Sequence, residues 1–131
     1  MNNSDRDELI RAAFEAQQRA YCPYSDYPVG AALRTASGKI YHGVNIENAS
    51  FGLTICAERV AASAAVAAGE REFTEIAVVS RGGVSPCGAC RQFLAEFNPS
   101  LPIVMIDSLQ PQLIREASLA DLLPGRFEGP V

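Results

Sequence analysis

The sequence C-A-E at residues 56–58 is followed, about thirty residues later, by P-C-G-A-C at residues 86–90. Three cysteines at these spacings can hold one zinc ion and leave its fourth position open: Cys56, Cys87 and Cys90. Structural zinc sites use four protein ligands, whereas catalytic sites use three ligands and a water molecule. The carboxylate of Glu58 could move protons at that open position. The two motifs therefore predict a catalytic zinc centre that performs a hydrolysis.

Both motifs are predicted to lie at the start of a helix. The alanine-rich pattern predicts a helix over residues 56–68, and a further helix is predicted over residues 87–97. A helix N-terminus favours the thiolate form of cysteine, which is the form that binds zinc. Cys87 and Cys90 are three residues apart, so they face the same side of one helical turn. Cys56 must then approach the ion from the neighbouring helix.

The other elements alternate between helix and strand. The order αββαβαβ(β)α predicts an α/β fold, with helices packed on the faces of a mixed sheet. At 131 residues the chain is long enough for one domain with its own core, and we expect a single domain over residues 1–131. The remaining predicted segments are a helix at 4–20, a hairpin of 29–35 with 40–46, strands at 75–80 and 102–107, a further strand at 112–116 and a helical turn at 119–123.

Charge and composition exclude several classes of partner. The formal charge of −4 and the pI near 4.9 argue against a nucleic-acid ligand, because phosphate backbones are bound by clustered Lys and Arg. No apolar run is long enough to span a membrane, and the acidic N-terminus lacks the pattern of a signal peptide. We therefore expect a cytoplasmic protein with a small-molecule substrate. In that reducing compartment, cysteines are more often metal ligands or reactive thiols than disulfides.

Two arginines adjacent to the cysteine motifs could tune the metal. Three thiolates on a divalent ion leave a net charge of about minus one, which weakens the acidifying effect of the ion on water. Arg59 or Arg91 could offset that charge by donating a hydrogen bond to a thiolate. Cys22 has no second ligand at a suitable spacing and is predicted to be a small buried apolar residue. His42, the only histidine, is predicted to lie at the surface or edge of a strand.

Five motifs together resemble a known family, the short homotetrameric cytidine deaminases of pyrimidine salvage. The resemblance implies a three-layer α-β-α sandwich with a five-stranded mixed sheet. It also implies one zinc ion per subunit, and hydrolytic deamination of cytidine and 2′-deoxycytidine to the corresponding uridines. The motifs are P-Y-S-x-x-x-V-G-A-A-L (23–33), N-I-E-N-A (45–49), C-A-E-R (56–59), P-C-G-A-C-R-Q (86–92) and L-L-P-G-x-F (122–127).

The resemblance also assigns roles at the metal. Glu58 would transfer protons while water replaces the amino group at C4 of cytosine, releasing ammonia. Arg59 would donate hydrogen bonds to the zinc thiolates. The zinc ligands would be Cys56, Cys87 and Cys90.

Further roles concern the nucleoside and the neighbouring subunits. Asn45 and Glu47 would hold the ribose 3′-hydroxyl, and the backbone of Ala57 would contact the base. Phe127 would close the active site of a neighbouring subunit, and Ala49 would also reach the ligand of a neighbour. The resemblance therefore implies a homotetramer with shared active sites.

At two positions the sequence departs from the family pattern. Tyr27 stands where the family usually has Phe near the base, and its ring can still stack. Phe51 stands where the family usually has Tyr near the ribose 5′-hydroxyl, and it cannot donate the corresponding hydrogen bond. We therefore expect weaker discrimination at the 5′ position.

Several other functions are compatible with parts of the pattern. P-C-G-A-C alone is equally typical of a redox or structural site, but a structural site has no use for Glu58 beside an open position. A deaminase of a modified or antibiotic pyrimidine nucleoside, of the blasticidin S type, is the main alternative. The ribose-reading pair Asn45 and Glu47 favours the ordinary nucleoside. A polynucleotide deaminase fits less well, because the pI is acidic and Cys56 stands where those enzymes usually carry His.

Overall fold

A computed structural model describes residues 3–130 and shows helices alternating with strands along the chain. The first two residues and the last of the expected 1–131 domain lie outside the described residues. None of the helices within residues 3–130 is both long and apolar enough to cross a membrane. The elements are α1 (Asn3–Gln17), β1 (Gly30–Thr35), β2 (Ile40–Val44), a 3₁₀ turn (Phe51–Leu53), α2 (Ala57–Ala67), β3 (Phe73–Ser80), α3 (Gly88–Ala95), β4 (Pro102–Asp107), β5 (Ile114–Ser118) and α4 (Leu119–Leu122).

The strands form one five-stranded mixed sheet in the order β2-β1-β3-β4-β5. β1 pairs antiparallel with both β2 and β3, and β4 pairs antiparallel with β5. β3 and β4 are parallel, and α3 forms the connection between them. The predicted mixed sheet is confirmed. The parallel pair places the end of β3 beside the end of β4, directly before the loop that leads to the P-C-G-A-C motif.

The two faces of the sheet carry different helices. Successive side chains of a strand point to opposite faces, and β1 shows this alternation. Ala32 packs into the core under α1, whereas Ala31 and Leu33 pack into the core under α2 and α3. The helices therefore lie on both faces, and the predicted three-layer arrangement is confirmed.

Two glycines allow the helices to approach the sheet closely, one on each face. A Cβ atom at Gly30 would lie 2.2 Å from the carbonyl oxygen of Ala13 in α1. A Cβ atom at Gly43 would lie 2.1 Å from the carbonyl oxygen of Ala57 in α2. Real Cβ atoms do not approach a backbone so closely. Gly43 therefore sets the distance between β2 and the first turn of α2, which follows Cys56.

The predicted helices and strands are all present, with small differences at their ends. α1 ends at Gln17 rather than residue 20, because the next three residues form tighter bonds to carbonyls three positions back. β5 begins at Ile114 rather than residue 112, because the amide of Leu113 is still bonded within the preceding turn, to Gln110. The 3₁₀ turn at Phe51–Leu53 was not predicted.

Candidate active site

Three cysteine sulfur atoms meet where two helices begin. Cys56 is the N-cap residue of α2 and Cys87 is the N-cap residue of α3, both with extended backbone. Cys90 lies in the first turn of α3 and is fully buried. Its backbone N–H donates to the Cys87 sulfur at 3.4 Å. The predicted convergence of the three thiols is therefore present.

The spacing of the sulfurs fits one tetrahedral zinc ion. Zinc–sulfur bonds of about 2.3 Å in tetrahedral geometry place sulfurs about 3.8 Å apart. The Cys56 and Cys87 sulfurs are 3.9 Å apart, and the Cys87 and Cys90 sulfurs are 3.4 Å apart. All three lie within 4.8 Å of one another. A three-sulfur set leaves the fourth position free, as a catalytic site requires.

The protons of the thiols are unevenly shared. Cys90 and Arg59 hydrogen-bond to the Cys56 sulfur and lower its pKa to about 5. The neighbouring Cys56 raises the pKa of Cys90, and burial adds to this effect. The lowered pKa of Cys56 favours its thiolate, which is the form that binds zinc.

The two arginines adjacent to the motifs have different partners. Arg59 Nη2 lies 3.6 Å from the Cys56 sulfur, as one of the two alternatives predicted. The prediction that Arg91 could contact a thiolate is wrong. Its guanidinium donates to the carbonyl of Pro86 at 2.8 Å, the carbonyl of Leu122 at 2.7 Å and Ser85 Oγ at 3.0 Å. Consecutive helix residues point about 100° apart, so the side chain of Arg91 leaves the helix away from that of Cys90.

Glu58 lies in the first turn of α2 and is only 5% exposed. Burial raises the pKa of its carboxyl to about 7, and the negative charge of Cys56 adds to this effect. The charge of Glu58 in turn contributes to the raised pKa of Cys90. A carboxyl with a pKa near neutrality can both accept and donate a proton. Glu58, two residues after Cys56 in the first turn of α2, is therefore suited to carry protons near the thiols.

The segment of residues 45–47 crosses the surface between two other segments. Ile46 exchanges two backbone hydrogen bonds with Ile55, each of 3.0 Å. On the other side, the amide of Tyr21 donates to the carbonyl of Asn45 at 3.0 Å. The amide of Glu47 donates back to the carbonyl of Tyr21 at 2.9 Å. Backbone contacts therefore fix this segment immediately beside the residues that lead into Cys56.

Asn45 is buried and holds the loop that carries Tyr27. Its Nδ2 donates to the carbonyl of Tyr27 at 2.9 Å, and its Oδ1 accepts from the amide of Val29 at 3.0 Å. One N–H of the side-chain amide is not used by these bonds. Asn45 thus fixes the position of Tyr27, whatever else it contacts.

Ser25 joins Glu47 to Tyr27, and the sequence reasoning did not assign it a role. Its hydroxyl donates to Glu47 Oε2 and accepts from the amide of Tyr27 at 3.1 Å. The amides of Tyr24 and Ser25 donate to Glu47 Oε1 at 2.9 and 3.1 Å. The bond from Ser25 keeps the pKa of Glu47 below its ordinary value. Beside this carboxylate lies a cavity of about 250 Å³, lined by Tyr24, Ser25, Glu47, Phe51 and Thr54.

The hydroxyl of Tyr27, one of the departures from the family pattern, has a partner. It donates to the carbonyl of Arg81 at 2.5 Å. The guanidinium of Arg81 lies 5.2 Å from the centre of the Tyr27 ring and donates to the carbonyl of Asp26. Tyr27 is therefore attached to the loop between β3 and α3, which continues to Cys87.

The remaining predicted residues fall into two groups. Ala57 is fully buried in α2, next to Cys56. Ala49 is exposed, as are Phe51 and Phe127, which are 71% and 73% exposed. The rings of Phe51 and Tyr24 are 5.5 Å apart, edge to face. The exposed group lies on the surface of the chain rather than at the thiols.

Comparison with known proteins decides the family. The family model for the cytidine and deoxycytidylate deaminase zinc-binding region matches residues 3–106. A cytidine deaminase of Sporosarcina psychrophila is 51% identical over 126 residues, which cover 94% of this chain and 91% of that protein. The chain belongs to the cytidine deaminase family.

Solved structures of cytidine deaminases share the fold. The crystal structure of the cytidine deaminase from Burkholderia pseudomallei has a TM-score of 0.88 and 47% sequence identity, and covers 97% of this chain and 100% of that one. The cytidine deaminase of Mycobacterium tuberculosis gives a TM-score of 0.81 at 35% identity, covering 95% of this chain and 98% of that one. The resemblance noted in the sequence is confirmed.

Family membership also settles the identity of the metal. The matched region is the zinc-binding region of these deaminases, and it contains the three converging cysteines. Zinc is bound by Cys56, Cys87 and Cys90.

Within residues 3–130, Cys22 is not part of this cluster. It is half-buried rather than fully buried as predicted, and it lines a separate cavity of about 540 Å³. His42 is exposed on β2, as predicted.

Proposed function

We propose that this member of the cytidine deaminase family converts cytidine and 2′-deoxycytidine to uridine and 2′-deoxyuridine, as part of pyrimidine salvage. The observation that carries the proposal is the buried Glu58, with a pKa of about 7, in the same helical turn as a zinc cysteine. The matching relatives bear the name cytidine deaminase, which supports this choice of substrate. The four cysteines form no disulfide in the described residues, which fits a reducing compartment, and we infer a cytoplasmic location.

The reaction needs a group that both removes and returns protons. A bond forms between the oxygen of water and C4 of the cytosine ring, and the bond from C4 to the amino nitrogen breaks. The two water protons end on ring N3 and on the departing ammonia. Glu58 is placed to accept each proton and pass it on, so its carboxylate is restored after each turnover. Zinc, when bound by the three thiolates, supplies a Lewis acid that makes a water molecule more acidic.

Recognition of the nucleoside would fall to the network around Ser25. Glu47, held ionised by three hydrogen bonds, would accept from the ribose 3′-hydroxyl. The unused N–H of Asn45 would assist it. The Tyr27 ring would contact the base, and the backbone of Ala57 would bond to it. The buried first turn of α2 and the fixed 45–47 segment would thus read the base and the sugar separately.

The partner would be further copies of the same chain. Six exposed apolar side chains of the 21–24 and 46–55 segments form what we call the apolar face: Tyr21, Tyr24, Ile46, Phe51, Leu53 and Ile55. Bridges between residues 21, 46 and 55 make these segments one continuous surface. Exposed apolar patches of this kind mark sites of association. We propose a homotetramer in which Phe127 and Ala49 reach the active site of a neighbouring subunit.

The test of the proposed function is the Glu58→Ala variant. We expect it to retain one zinc ion per subunit, because Glu58 is not a ligand. We expect turnover to fall by roughly two to four orders of magnitude, since one group serves as both acid and base. Ammonia release from cytidine and zinc content would be measured on the same samples. Glu72→Ala, a change at an exposed glutamate outside the site, is the matched control. Substantial turnover by Glu58→Ala would refute the assigned role, and a wild-type protein inert toward both nucleosides would refute the function.

Phe51 leads to a prediction about the 5′ position. Its ring contacts Tyr24 and offers no hydrogen-bond donor to the ribose 5′-hydroxyl. We therefore expect kcat/KM for 5′-deoxycytidine to lie within roughly tenfold of that for cytidine, since one hydrogen bond contributes about 0.5–1.5 kcal/mol. In the Phe51→Tyr variant the preference for cytidine should increase. Strong rejection of 5′-deoxycytidine by the wild type would contradict the expectation.

A further inference from the structure

Gln92, on the zinc-binding helix α3, holds the backbone of Phe127. Its Nε2 donates to the carbonyl of Phe127 at 2.9 Å, and its Oε1 accepts from the amide of Phe127 at 3.2 Å. One side-chain amide thus satisfies both polar groups of a single backbone residue, as a neighbouring strand would. The two residues are 35 positions apart, so this contact is not a local turn.

The residue before Gln92 holds the other end of the same segment. Arg91 donates to the carbonyl of Leu122 at 2.7 Å, five residues before Phe127. It also donates to the carbonyl of Pro86 at 2.8 Å, in the loop that leads to Cys87. Gly125, with φ of 68°, turns the chain between the two anchors. Two successive residues of α3 therefore fix the 122–127 segment relative to the zinc ligands.

The contact fixes the backbone of Phe127 and leaves its ring uncovered. The residue is 73% exposed, although its main chain makes two hydrogen bonds. An apolar ring on a held backbone loses little conformational freedom when a second molecule covers it. A ring on a loose chain end would lose much more. The exposed ring of Phe127, on a backbone that is already fixed, is therefore suited to contact a second subunit.

We propose that Gln92 is a positioning residue that presents Phe127 to the active site of a neighbouring subunit. The inference rests on the proposed function, in which Phe127 closes that site. Gln92 does not touch the reacting atoms, so its loss weakens the binding of nucleoside and leaves the chemical step unchanged. Its effect is exerted in trans: the subunit that carries Gln92 serves the active site of its neighbour.

The first experiment compares KM and kcat for cytidine among single variants. Gln92→Ala should raise KM roughly tenfold with kcat and zinc content unchanged, because it removes both hydrogen bonds. Gln92→Glu keeps an acceptor for the Phe127 amide and loses the donor to its carbonyl, so its KM should be intermediate. Gln112→Ala, at an exposed glutamine before β5, is the control and should match the wild type. Phe127→Ala should raise KM at least as much as Gln92→Ala, and the double variant should be no worse than Phe127→Ala alone.

The second experiment uses mixed tetramers to separate action in trans from a structural role in cis. Subunits with Gln92→Ala keep Glu58, whereas subunits with Glu58→Gln keep Gln92 but cannot transfer protons. When Glu58→Gln subunits are in excess, most working sites receive Phe127 from a neighbour with an intact Gln92. Their KM should therefore return toward the wild-type value as the share of Glu58→Gln subunits increases.

The outcomes distinguish the inference from the function on which it rests. If Phe127→Ala leaves KM unchanged, the proposed role of Phe127 fails and the inference fails with it. If Phe127→Ala raises KM while Gln92→Ala does not, the inference alone is overturned. A KM that stays high in the mixed tetramers also overturns it, because Gln92 then acts within its own subunit.

Discussion

At the scale of single residues, the hydroxyl of Ser25 links two residues that we propose to contact the nucleoside, Glu47 and Tyr27. This hydroxyl both donates to Glu47 and accepts from the amide of Tyr27, so two proposed nucleoside contacts share one oxygen atom. The motif P-Y-S in the sequence draws attention to Ser25 without indicating its partner. Glu47 lies 22 positions away, and only the folded chain brings the two together.

The pH dependence of nucleoside binding should depend on Ser25. The Ser25 hydroxyl lowers the pKa of Glu47, so the carboxylate stays ionised to a lower pH than an ordinary glutamate. In Ser25→Ala the pKa rises toward its ordinary value, and Glu47 becomes protonated at higher pH. The rise of KM that accompanies acidification should therefore begin at a higher pH in this variant. Measuring KM for cytidine against pH tests the expectation.

A second Ser–Glu pair in the same chain provides the control. Ser37 Oγ donates to Glu70 Oε2 at 2.6 Å and likewise lowers the pKa of that carboxyl. This pair lies outside the proposed site. Ser37→Ala should therefore leave the pH profile of KM unchanged. Identical profiles for Ser25→Ala and the wild type would show that Glu47 does not bind nucleoside as an ionised group.

At the scale of elements, the alanine-rich run after Cys56 and the helical pattern after Cys87 were sufficient to predict where α2 and α3 begin. A helix N-terminus favours the thiolate that zinc binds, so both cysteines stand where a zinc ligand is favoured. The path of residues 45–47 could not be predicted, because isolated backbone bridges to Tyr21 and Ile55 leave no periodic pattern. The direction of Arg91 was missed although the predicted helix gives it, because consecutive helix residues point about 100° apart. Most of the sheet and the metal ligands were accessible from sequence, whereas the hydrogen-bond partners of Ser25, Arg81 and Gln92 were not.

The two close-approach glycines predict different effects of the same substitution. Gly43→Ala forces a Cβ atom against the carbonyl of Ala57 and displaces the first turn of α2, which follows Cys56. Gly30→Ala displaces α1 on the opposite face of the sheet. Both should lower the free energy of unfolding by about 1–3 kcal/mol or more, as overpacking does.

Zinc content distinguishes the two variants. Only Gly43→Ala should weaken zinc retention when the folded proteins are titrated with a chelator. Gly52→Ala, where a Cβ atom meets nothing within 4 Å, should change neither property. Equal zinc retention by Gly43→Ala and Gly30→Ala would argue against a role of Gly43 in placing Cys56.

At the scale of the whole molecule, the apolar face and the exposed Phe127 both bear on whether subunits must associate to form a complete active site. Both are surfaces that the chain leaves uncovered. Phe127 and Ala49, which lies in the 46–55 segment of the apolar face, are proposed to complete a neighbour's active site. Assembly and catalysis are therefore predicted to be lost together. On this proposal, a variant of the chain that failed to associate would keep its zinc ligands and lose part of its nucleoside site.

Leu53 tests this dependence without altering a proposed site residue. It is 65% exposed within the apolar face, and a charge there would be desolvated on association. Leu53→Asp should therefore dissociate the proposed tetramer and lower kcat/KM for cytidine, while zinc content stays the same. Sedimentation and kinetics on the same preparation would show both effects. Leu109→Asp, at a leucine after β4 that is 72% exposed and lies outside the apolar face, is the control. A Leu53→Asp protein that remained tetrameric would remove the apolar face from the interface.

The backbone attachment of residues 45–47 has a further consequence, for how new specificities can arise in this chain. Ile46 bonds through its main chain to Ile55, and its neighbours Asn45 and Glu47 bond to Tyr21. The side chain of Ile46 itself is exposed. Substitutions at residues 48–50, whose side chains are all exposed, therefore meet few folding constraints and leave Glu47 and the metal ligands untouched. A library randomised over this stretch should yield mostly folded, zinc-loaded proteins that differ in the sugars they accept. Substitutions in this segment could therefore change the range of substrates during evolution while the zinc site and its chemistry stay the same.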